Sequence, residues 1–574
     1  MKKIINRNFY WASLFVEQLF KLGIKDVVIS PGSRNTPLTL AFAESKKFEQ
    51  HVIIDERSAA FFSLGLTKQS KIPTVVVTTS GTAVAELYPA IIEAYKQRVP
   101  LIICTADRPK YLQNRGANQT INQHNIFSNH IRFFSDLGLP ILSSKNLKEL
   151  CHKTLAAVKI ATQTNPGPVH LNFPFEKPLE PKTFSENYNE PFKKFLIHEN
   201  KTKNSSSFNK KDFNKVKAVL QKKNRVLFHL GWDNFDDRFY KLIIKVSNKY
   251  SIPIFIDGTN KLRFTKSNSK NLITNHNFFV KKLSLLPDII VHFGNAPTSN
   301  NMLEFFKNVS AQKIIVNEFG DITEPSSTKR NVIKINPTIF LESLLSEKIQ
   351  LNNCKQFSNE IIQAEKKSQA IKEKFIAHLP FGSEIRIITE LLKVIGTNSN
   401  LFISNSLPIR DFDNYAFKNN LDLNIFTNRG SSGIDGIIST AGGIAQKSKR
   451  KTFLIVGDLA FYHNINALAD LRNKQIPLTI ILINNNGGSI FNMLPVAEES
   501  EIFKKYFITS HNLNFKKITK AFEIDYASPK SWKSFKKTFE GISSNNKSAV
   551  IEIKTKPKIS IEQRKELYKI YLNN

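Results

Sequence analysis

Three α/β domains, each a parallel sheet flanked by helices, are what this sequence predicts, and three observations carry the expectation. Short apolar runs alternate with amphipathic ones through the first 190 residues, through the middle of the chain and again from about residue 385, the pattern of βα units on parallel sheets. A chain of 574 residues, 41% of them hydrophobic, is long enough for two to four domains, each with its own core. The segment AYKQRVPLIIC (94–104) is also echoed by LRNKQIPLTII (471–481). Each reads as a helix end, a Pro-led turn and a strand, as two similar halves flanking a third would give.

The N-terminal domain is expected over residues 1–190. Asp26–Ser30 reads as a strand, followed by the turn Pro31-Gly32-Ser33-Arg34. Thr36 is placed to cap a helix with Pro37 at its first position, where a missing N–H costs nothing. Val52–Asp55 and Thr74–Thr79 repeat the scheme. Leu101–Thr105 is a further strand ending at Ala106-Asp107-Arg108-Pro109, and Gly167–Asn172 closes the domain. Residues 198–212 are polar and rich in Ser, Asn and Lys, a linker by composition. The middle domain, 191–357, offers candidate strands at Val226–Leu230, Ile254–Ile256, Ile289–Phe293 and Lys313–Val316. Ser358–Ala377 reads as a polar amphipathic helix opening the C-terminal domain, 358–574. There the strands Thr452–Val456 and Leu478–Ile483 bracket a helix at Asn464–Asn473.

Composition excludes several functions. Lys and Arg number 82 against 48 Asp and Glu, a formal net charge of +34. Such a balance suits nucleic acid. Yet Lys and Asn are enriched from end to end, no long basic block stands out, and RNP, zinc-finger and basic-zipper patterns are missing. No nucleic-acid partner is therefore expected, and a positive field attracts small anions equally well. The cysteines, Cys104, Cys151 and Cys354, lie far apart, which suits a reducing cytoplasm and offers neither a disulfide framework nor a zinc site. No apolar run reaches the roughly eighteen residues of a membrane span. Asn6, Arg7 and Asn8 interrupt any apolar core after Lys2 and Lys3, so no signal peptide is read. A nicotinamide site would want Gly-x-Gly-x-x-Gly, but no two glycines stand two positions apart; no Gly-Lys dipeptide supplies a P-loop either.

The strongest chemical signal is Gly457-Asp458-Leu459 after one strand and Asn484-Asn485-Asn486 after the next, with 27 residues from Asp458 to Asn485. One βαβ crossover fits that spacing, and both motifs then fall at the carboxyl ends of parallel strands, where α/β sheets bind ligands. A carboxylate and an amide oxygen on adjacent strand ends make a hard oxygen site suited to Mg²⁺, with phosphate and water completing the octahedron. Gly487 and Gly488 let the backbone approach closely, and Gly487 can lend a carbonyl. Taken singly, Asp458 also reads as a helix cap and the Asn run as a turn.

The pairing resembles the Gly-Asp and Asn-Asn signature of thiamine-diphosphate enzymes, with Leu459 where a glycine commonly follows Gly-Asp. That resemblance implies a thiamine-diphosphate-binding fold and Mg²⁺ or Mn²⁺ at Asp458, Asn485 and Gly487. It also gives a role to Asp55-Glu56-Arg57, which alone reads as an acid in a helix's first turn. Glu56 stands where such enzymes keep the catalytic carboxylate that contacts N1′ of the aminopyrimidine and favours its imino tautomer. A cofactor bridging Glu56 in one domain and Asp458 in another implies active sites between chains, hence a homodimer or a dimer of dimers.

Further strings narrow the resemblance: SPGSRNTPL (30–38), DERSAAF (55–61), TSGTA (79–83), TADRP (105–109), GANQT (116–120), NSLPIRD (405–411), NRGSSGIDG (428–436) and INNNGGSIFNMLP (483–495). Over nearly its whole length the chain is similar to the 2-succinyl-5-enolpyruvyl-6-hydroxy-3-cyclohexene-1-carboxylate synthases of menaquinone biosynthesis. The resemblance implies decarboxylation of 2-oxoglutarate and conjugate addition of the succinyl-semialdehyde carbanion to isochorismate. Both substrates are dianions, for which the planar fork of arginine is suited. By motif, Ser406 and Arg410 would hold the distal carboxylate of 2-oxoglutarate. Ser33, Arg34, Arg108, Asn118 and Gln119 would hold isochorismate, with Arg429 assisting. Ser432, Gly433 and Leu459 would lie against the cofactor, Ile434 would wedge beneath it to force its bent form, and Ile490 and Phe491 would line an apolar wall. Read without the family, the isoleucines and Phe491 are ordinary core residues.

One departure is HFGNAPTSN (292–300), where Asn300 replaces the lysine of the family's similar stretch; if that lysine contacts a substrate carboxylate, either another cation, Lys261 or Arg263, substitutes or affinity is lower. Neither His124 nor His463 is expected as an acid or base. The alternative enzyme is another thiamine-dependent 2-oxo-acid decarboxylase or carboligase, sharing Glu56, Asp458 and Asn485 but indifferent to Arg34 and Arg108. From another class, the alternative is a basic nucleic-acid-binding protein on a defunct thiamine fold, with steeply salt-dependent binding and no turnover.

Overall fold

A computed structural model describes residues 6–573 except 182–187, 189, 199–209, 234, 327–329, 348, 350, 352 and 499. The described strands form three six-stranded sheets, with every pairing parallel. The first holds β1 (Asp26–Ile29), β2 (Glu49–Val52), β3 (Thr74–Thr78), β4 (Leu101–Asp107), β5 (Phe133–Asp136) and β6 (Val169–Pro174), in the order β2-β1-β3-β4-β6-β5. The middle sheet holds β7 (Val226–Leu230), β8 (Ile254–Ile256), β9 (Leu272–Ile273), β10 (Ile289–Phe293), β11 (Gln312–Asn317) and β12 (Arg330–Lys334), in the order β12-β11-β10-β7-β8-β9. The third holds β13 (Asn400–Ile403), β14 (Asn424–Phe426), β15 (Thr452–Gly457), β16 (Leu478–Asn484), β17 (Asp525–Ala527) and β18 (Ala549–Lys554), in the order β14-β13-β15-β16-β18-β17. The outer sheets thus share one topology, and the echoed segments end in β4 and β16, which occupy the same place in it.

Central strands such as β3 (TVVVT) and β16 (LTIILIN) are buried along their whole length, which is why they read as unbroken apolar runs. Edge strands follow another rule. The second strand lies at Glu49–Val52, not Val52–Asp55, and its exposed EQHV carries no apolar run. The edge strands β5, β9 and β12 escape an apolar-run criterion for related reasons: β5 is half-buried, β9 has two residues, and β12 (RNVIK) is mostly polar. Thr36 is not a cap: Asn35 precedes the helix Thr36–Ser45, and the Thr36 hydroxyl donates to the Ser33 carbonyl (2.7 Å). The expected helix at Asn464–Asn473 is shorter, Ala467–Asn473, and a separate short helix, Asp458–His463, precedes it. Of the expected linker, 199–209 lies outside the described residues, and from Lys210 the chain is already in the helix Lys210–Gln221.

The first and third sheets are joined through the helices Glu56–Ser70 and Ile437–Lys447, which cross at glycines. A Cβ on Gly65 would stand 2.1 Å from the Thr440 carbonyl oxygen, and one on Gly443 2.1 Å from that of Phe62. Beside the crossing, Lys447 donates to buried Asp26 (2.6 Å) and to Glu49 (2.7 Å) of the first sheet. The middle sheet is fastened to the third by Arg263, fully buried, which donates to the Ile256 and Thr274 carbonyls of its own domain and to those of Asp413 and Ala416 across the boundary.

Gly443→Ala forces the helices apart and is expected to cost about 1–3 kcal/mol. Gly541→Ala, on the exposed face of the helix Trp532–Ser544 with nothing near its Cβ position, is expected to be stabilising by about 0.5–1 kcal/mol. Urea unfolding of both variants checks the pair; equal effects would show that the crossing is not tight.

Candidate active site

In the third sheet the chain passes from β13 outward to β14 and returns to β15 on the other side. The crevice between β13 and β15 is therefore a topological switch point, the place where open α/β sheets take ligands. Asn405 and Ser406 follow β13, Asp458 follows β15, and Asn485 follows β16. Together they line a cavity of about 140 Å³. Its described lining runs from Glu384 to Phe491 and takes in Ser406, Ile434, Asp458, Leu459, Asn485, Gly487, Ile490 and Phe491.

Asp458 is the first residue of its helix and is buried. Its Oδ1 accepts the Leu459 N–H (2.7 Å), and its Oδ2 accepts the Gly487 N–H (3.0 Å) and lies 3.2 Å from Nε2 of His511. Burial pushes the Asp458 carboxyl up, while His511 and the two N–H groups act the other way. Asn485 donates its Nδ2 to Glu384 (3.1 Å), and its Oδ1 is buried with no hydrogen-bond partner in the described protein. A buried, unpartnered amide oxygen beside a buried carboxylate is the donor set of a hard cation, so these residues fit Mg²⁺ or Mn²⁺. Gly487 has φ +140°, and a Cβ there would stand 2.1 Å from the Ile508 carbonyl oxygen, so only glycine lets this turn pack beneath residues 504–508. Leu459, Ile490 and Phe491 give the cavity an apolar side, and Phe491 packs edge-on against Phe507 at 5.6 Å.

The loop carrying Arg429, Ser432, Gly433 and Ile434 is held from two directions. Asn405 donates its Nδ2 to the carbonyls of Asn428 (2.6 Å) and Gly433 (2.7 Å). From the first domain, Glu93 accepts the N–H groups of Gly430 (2.8 Å) and Ser431 (2.7 Å), and Lys68 donates to the Thr427 carbonyl and the Asn428 side chain. Ile434 is 36% exposed at the cavity rim. Ser406, in the left-handed region at φ 75°, precedes the helix Leu407–Tyr415, and its carbonyl accepts Nη1 of Arg410 (2.6 Å). Arg429 lies near enough to Arg410 to add to the lowering that burial imposes on that guanidinium.

The remaining candidates gather at the equivalent end of the first sheet. Arg34 follows β1 and donates to the Phe175 carbonyl (2.9 Å); Arg108 follows β4 and donates to the Ser80 hydroxyl after β3. The Gln119 side chain donates to the Ser80 carbonyl (3.0 Å), while Ser33 and Asn118 are exposed on neighbouring loops. Glu56 opens its helix behind the cap Asp55, and burial pushes its carboxyl up, with Asp55 and Glu86 adding to the effect. Its neighbours lean on the end of the Asp458–His463 helix remote from Asp458: Arg57 donates to the His463 carbonyl, and Asp55 accepts from Asn466. Glu56 does not line the described cavity, and Val52 (58%) and Ile54 (80%) beside it are exposed.

One expectation is corrected. Arg263 is sealed between domains and spent on carbonyls, so it cannot stand in for the lysine replaced at Asn300. Lys261 is paired with Asp237 (3.3 Å) and Asp422 (3.8 Å) and lines a separate crevice with Lys68 and Lys71. Sequence reasoning also passed over Glu384, Asp411, His511 and Arg564. Glu384, His511 and Arg564 belong to no short string, and Asp411 closes NSLPIRD without a role of its own; only folding brings Glu384 and Asp411 to the cavity and sets His511 and Arg564 behind them.

Residues 11–126 match the family described as thiamine pyrophosphate enzyme, N-terminal TPP binding domain, and residues 413–553 match its C-terminal TPP binding domain. Three relatives carry the name 2-succinyl-5-enolpyruvyl-6-hydroxy-3-cyclohexene-1-carboxylate synthase. That of Bacillus velezensis is 34% identical, over 95% of this chain and 94% of its own. Those of Oceanobacillus iheyensis and Trichodesmium erythraeum are each 33% identical, over 94% and 96% of this chain and 94% and 95% of theirs. Among solved structures, the thiamine diphosphate-dependent 4-hydroxybenzoylformate decarboxylase of Rhodococcus jostii RHA1 superposes with a TM-score of 0.71, at 13% identity, over 95% of this chain and 99% of its own. At that identity it supports the fold alone.

Burial lowers Lys68 to about 7, so its proton leaves the folded chain near neutrality but leaves the unfolded chain only near pH 10. Between those values unfolding takes up a proton, and this group makes stability rise with pH. Lys68→Met is expected to remove a slope of up to about 1.4 kcal/mol per pH unit. Urea midpoints at pH 7.5 and 9.5 check it; identical slopes in both proteins would refute the assignment.

Proposed function

The chain belongs to the 2-succinyl-5-enolpyruvyl-6-hydroxy-3-cyclohexene-1-carboxylate synthase family, and on that premise we propose how its own residues carry the reaction. The enzyme decarboxylates 2-oxoglutarate and adds the resulting succinyl-semialdehyde carbanion to isochorismate, forming a carbon–carbon bond. Thiamine diphosphate, when bound, supplies the electron sink for both steps. What remains for the protein is binding, orientation and placement of charge.

Asp458, Asn485 through its Oδ1 and the Gly487 carbonyl are the proposed ligands of Mg²⁺ or Mn²⁺, which would anchor the diphosphate in the cavity. The unpartnered Asn485 oxygen beside Asp458, at the sheet's switch point, is the observation that carries this reading. Ser432, Gly433, Leu459, Ile490 and Phe491 would border the cofactor, and Ile434 would support its bend from the rim. Glu56 would hold the aminopyrimidine N1′ of a cofactor seated in a second copy of the chain. Two facts favour that arrangement over a site within one chain. The described cavity takes no lining from residues before Glu384, and the apolar Val52 and Ile54 beside Glu56 face solvent. The proposed assembly is a homodimer or a dimer of dimers.

Substrate charge is met by fixed arginines. Ser406 and Arg410, at the head of the helix Leu407–Tyr415, would take the distal carboxylate of 2-oxoglutarate, with Arg429 nearby. Arg34 and Arg108, with Ser33, Asn118 and Gln119, would take isochorismate. Both arginines are already oriented by hydrogen bonds to Phe175 and Ser80, so less side-chain freedom is lost on binding. Among the described residues, no helix is long and apolar enough to cross a membrane.

Glu56→Gln is expected to lower kcat by about 10²–10⁴-fold, and Asp458→Asn to abolish cofactor-dependent turnover. Mixing the two inactive variants and allowing subunits to exchange should restore up to roughly a quarter of the wild-type sites, because a symmetric heterodimer rebuilds one of its two. No recovery, despite exchange seen by native mass spectrometry, would place Glu56 and Asp458 in the same chain.

Arg108→Met is expected to raise KM for isochorismate and Arg410→Met that for 2-oxoglutarate, each by about 10–100-fold. Assays following CO₂ release and isochorismate consumption separate the two. CO₂ release indifferent to isochorismate in the wild type would move the assignment to another thiamine carboligase.

A further inference from the structure

An asparagine side chain offers an oxygen and an NH₂ of nearly equal size, and only the oxygen can ligate a cation. Something must therefore fix which atom of Asn485 is left free for a cation in the cavity it shares with Asp458. Glu384, buried at the start of the helix Glu384–Val394, supplies the constraint. Its Oε1 accepts from Asn485 Nδ2 (3.1 Å) and from the Thr555 hydroxyl (2.8 Å), and its Oε2 accepts from Nη2 of Arg564 (2.7 Å). An ionised carboxylate only accepts, so the atom of Asn485 turned toward it has to be the nitrogen. The oxygen is left on the other side, buried and unpartnered.

Arg564, on the C-terminal helix Pro557–Asn573, ties this amide to the substrate arm. Its Nε and Nη2 grip both oxygens of Asp411 (3.0 and 2.5 Å), the residue after Arg410. Against its own burial, Asp411 and Glu384 keep Arg564 protonated. Three segments far apart in sequence thus meet at one guanidinium: the metal loop through Glu384, the helix Leu407–Tyr415 through Asp411, and the end of the chain.

We infer that Glu384 is the positioning residue that turns the Asn485 oxygen toward the cation, and that Arg564 locks this orientation to the helix bearing Ser406 and Arg410. The inference rests on the proposed assignment of Asn485 as a cation ligand. In Glu384→Gln, Arg564 still requires an oxygen, so the new amide turns its NH₂ toward Asn485. Asn485 then flips, presenting its own NH₂ to the cation. Asn485→Asp fails for another reason, since it sets two carboxylates against each other. Combining the two substitutions reverses the polarity of the pair: an NH₂ at position 384 donates to a carboxylate at 485, whose second oxygen faces the cation.

The test is Mn²⁺ binding in the presence of thiamine diphosphate, read from the electron paramagnetic resonance signal of free Mn²⁺ without turnover, with melting temperatures alongside. Glu384→Gln and Asn485→Asp are each expected to weaken Mn²⁺ binding about 10–100-fold, and the double variant to return to within about threefold of wild type. Glu384→Gln binding like wild type, or a double variant no better than the singles, overturns the inference provided Asp458→Asn still loses Mn²⁺. Mn²⁺ binding unaffected by Asp458→Asn overturns the cation assignment itself, and the inference with it. Should Glu384→Gln not fold, Arg564→Lys keeps the charge but cannot bridge both carboxylates. It is expected to weaken Mn²⁺ binding and raise KM for 2-oxoglutarate together; Mn²⁺ binding unchanged in Arg564→Lys overturns the inference.

Discussion

The crossing of the helices Glu56–Ser70 and Ile437–Lys447 is the contact on which the arrangement of the chain depends. Gly65 and Gly443 bring two backbones to a distance that no side chain could share, so dispersion contacts that a looser crossing would forfeit are made along both helices. The first of these helices begins at Glu56, and the second follows the loop that carries Ile434. Fixing one against the other therefore fixes the N-terminal acid relative to the C-terminal cavity. That relation leaves Glu56 outside its own chain's cavity, flanked by Val52 and Ile54 in solvent. A tight intrachain interface and an exposed edge beside Glu56 are thus two consequences of one contact.

Around the crossing, polar groups set the register that apolar packing leaves loose. Lys447 reaches Asp26 and Glu49, Lys68 and Glu93 grip the loop from Thr427 to Ser431, and Arg263 collects carbonyls from both sides of the middle boundary. A buried polar contact adds little net stability, but removing one partner leaves the other unsatisfied and is costly, so such contacts specify an arrangement more than they strengthen it. Each of these clusters ends on a segment that carries a proposed cofactor or substrate residue or lies against one. The domain boundaries are where the active site is aligned.

The two outer sheets give the site its symmetry. Each has the order 2-1-3-4-6-5 counted along its own strands, and each places its functional loops after the first, third and fourth strands. In the third sheet those loops carry Ser406, Asp458 and Asn485, an oxygen-rich set. In the first they carry Arg34, Ser80 and Arg108, a set with two guanidinium groups. One topology thus presents different chemistry at its two switch points.

Much of this was legible in the sequence because it is local. Alternating apolar runs marked the central strands, since a strand buried on both faces must be apolar throughout. Asp458 and Asn485 could be paired because one crossover separates them, and Arg34, Arg108 and Arg410 stood in strings adjoining strand ends. What escaped was decided by contacts between distant segments. Edge strands such as Glu49–Val52 need no apolar run, since one side faces water. Arg263 looked like a spare cation but is consumed by four carbonyls. Glu384 and Arg564 carry no signal as single letters, and Asp411 stood in a string without a role, because a hydrogen-bond network exists only once residues 153 to 180 positions apart have been brought within 3 Å. The sequence by itself determined which atoms are available for chemistry; the tertiary structure decided which way they face, because orientation is set by partners that the chain supplies from elsewhere.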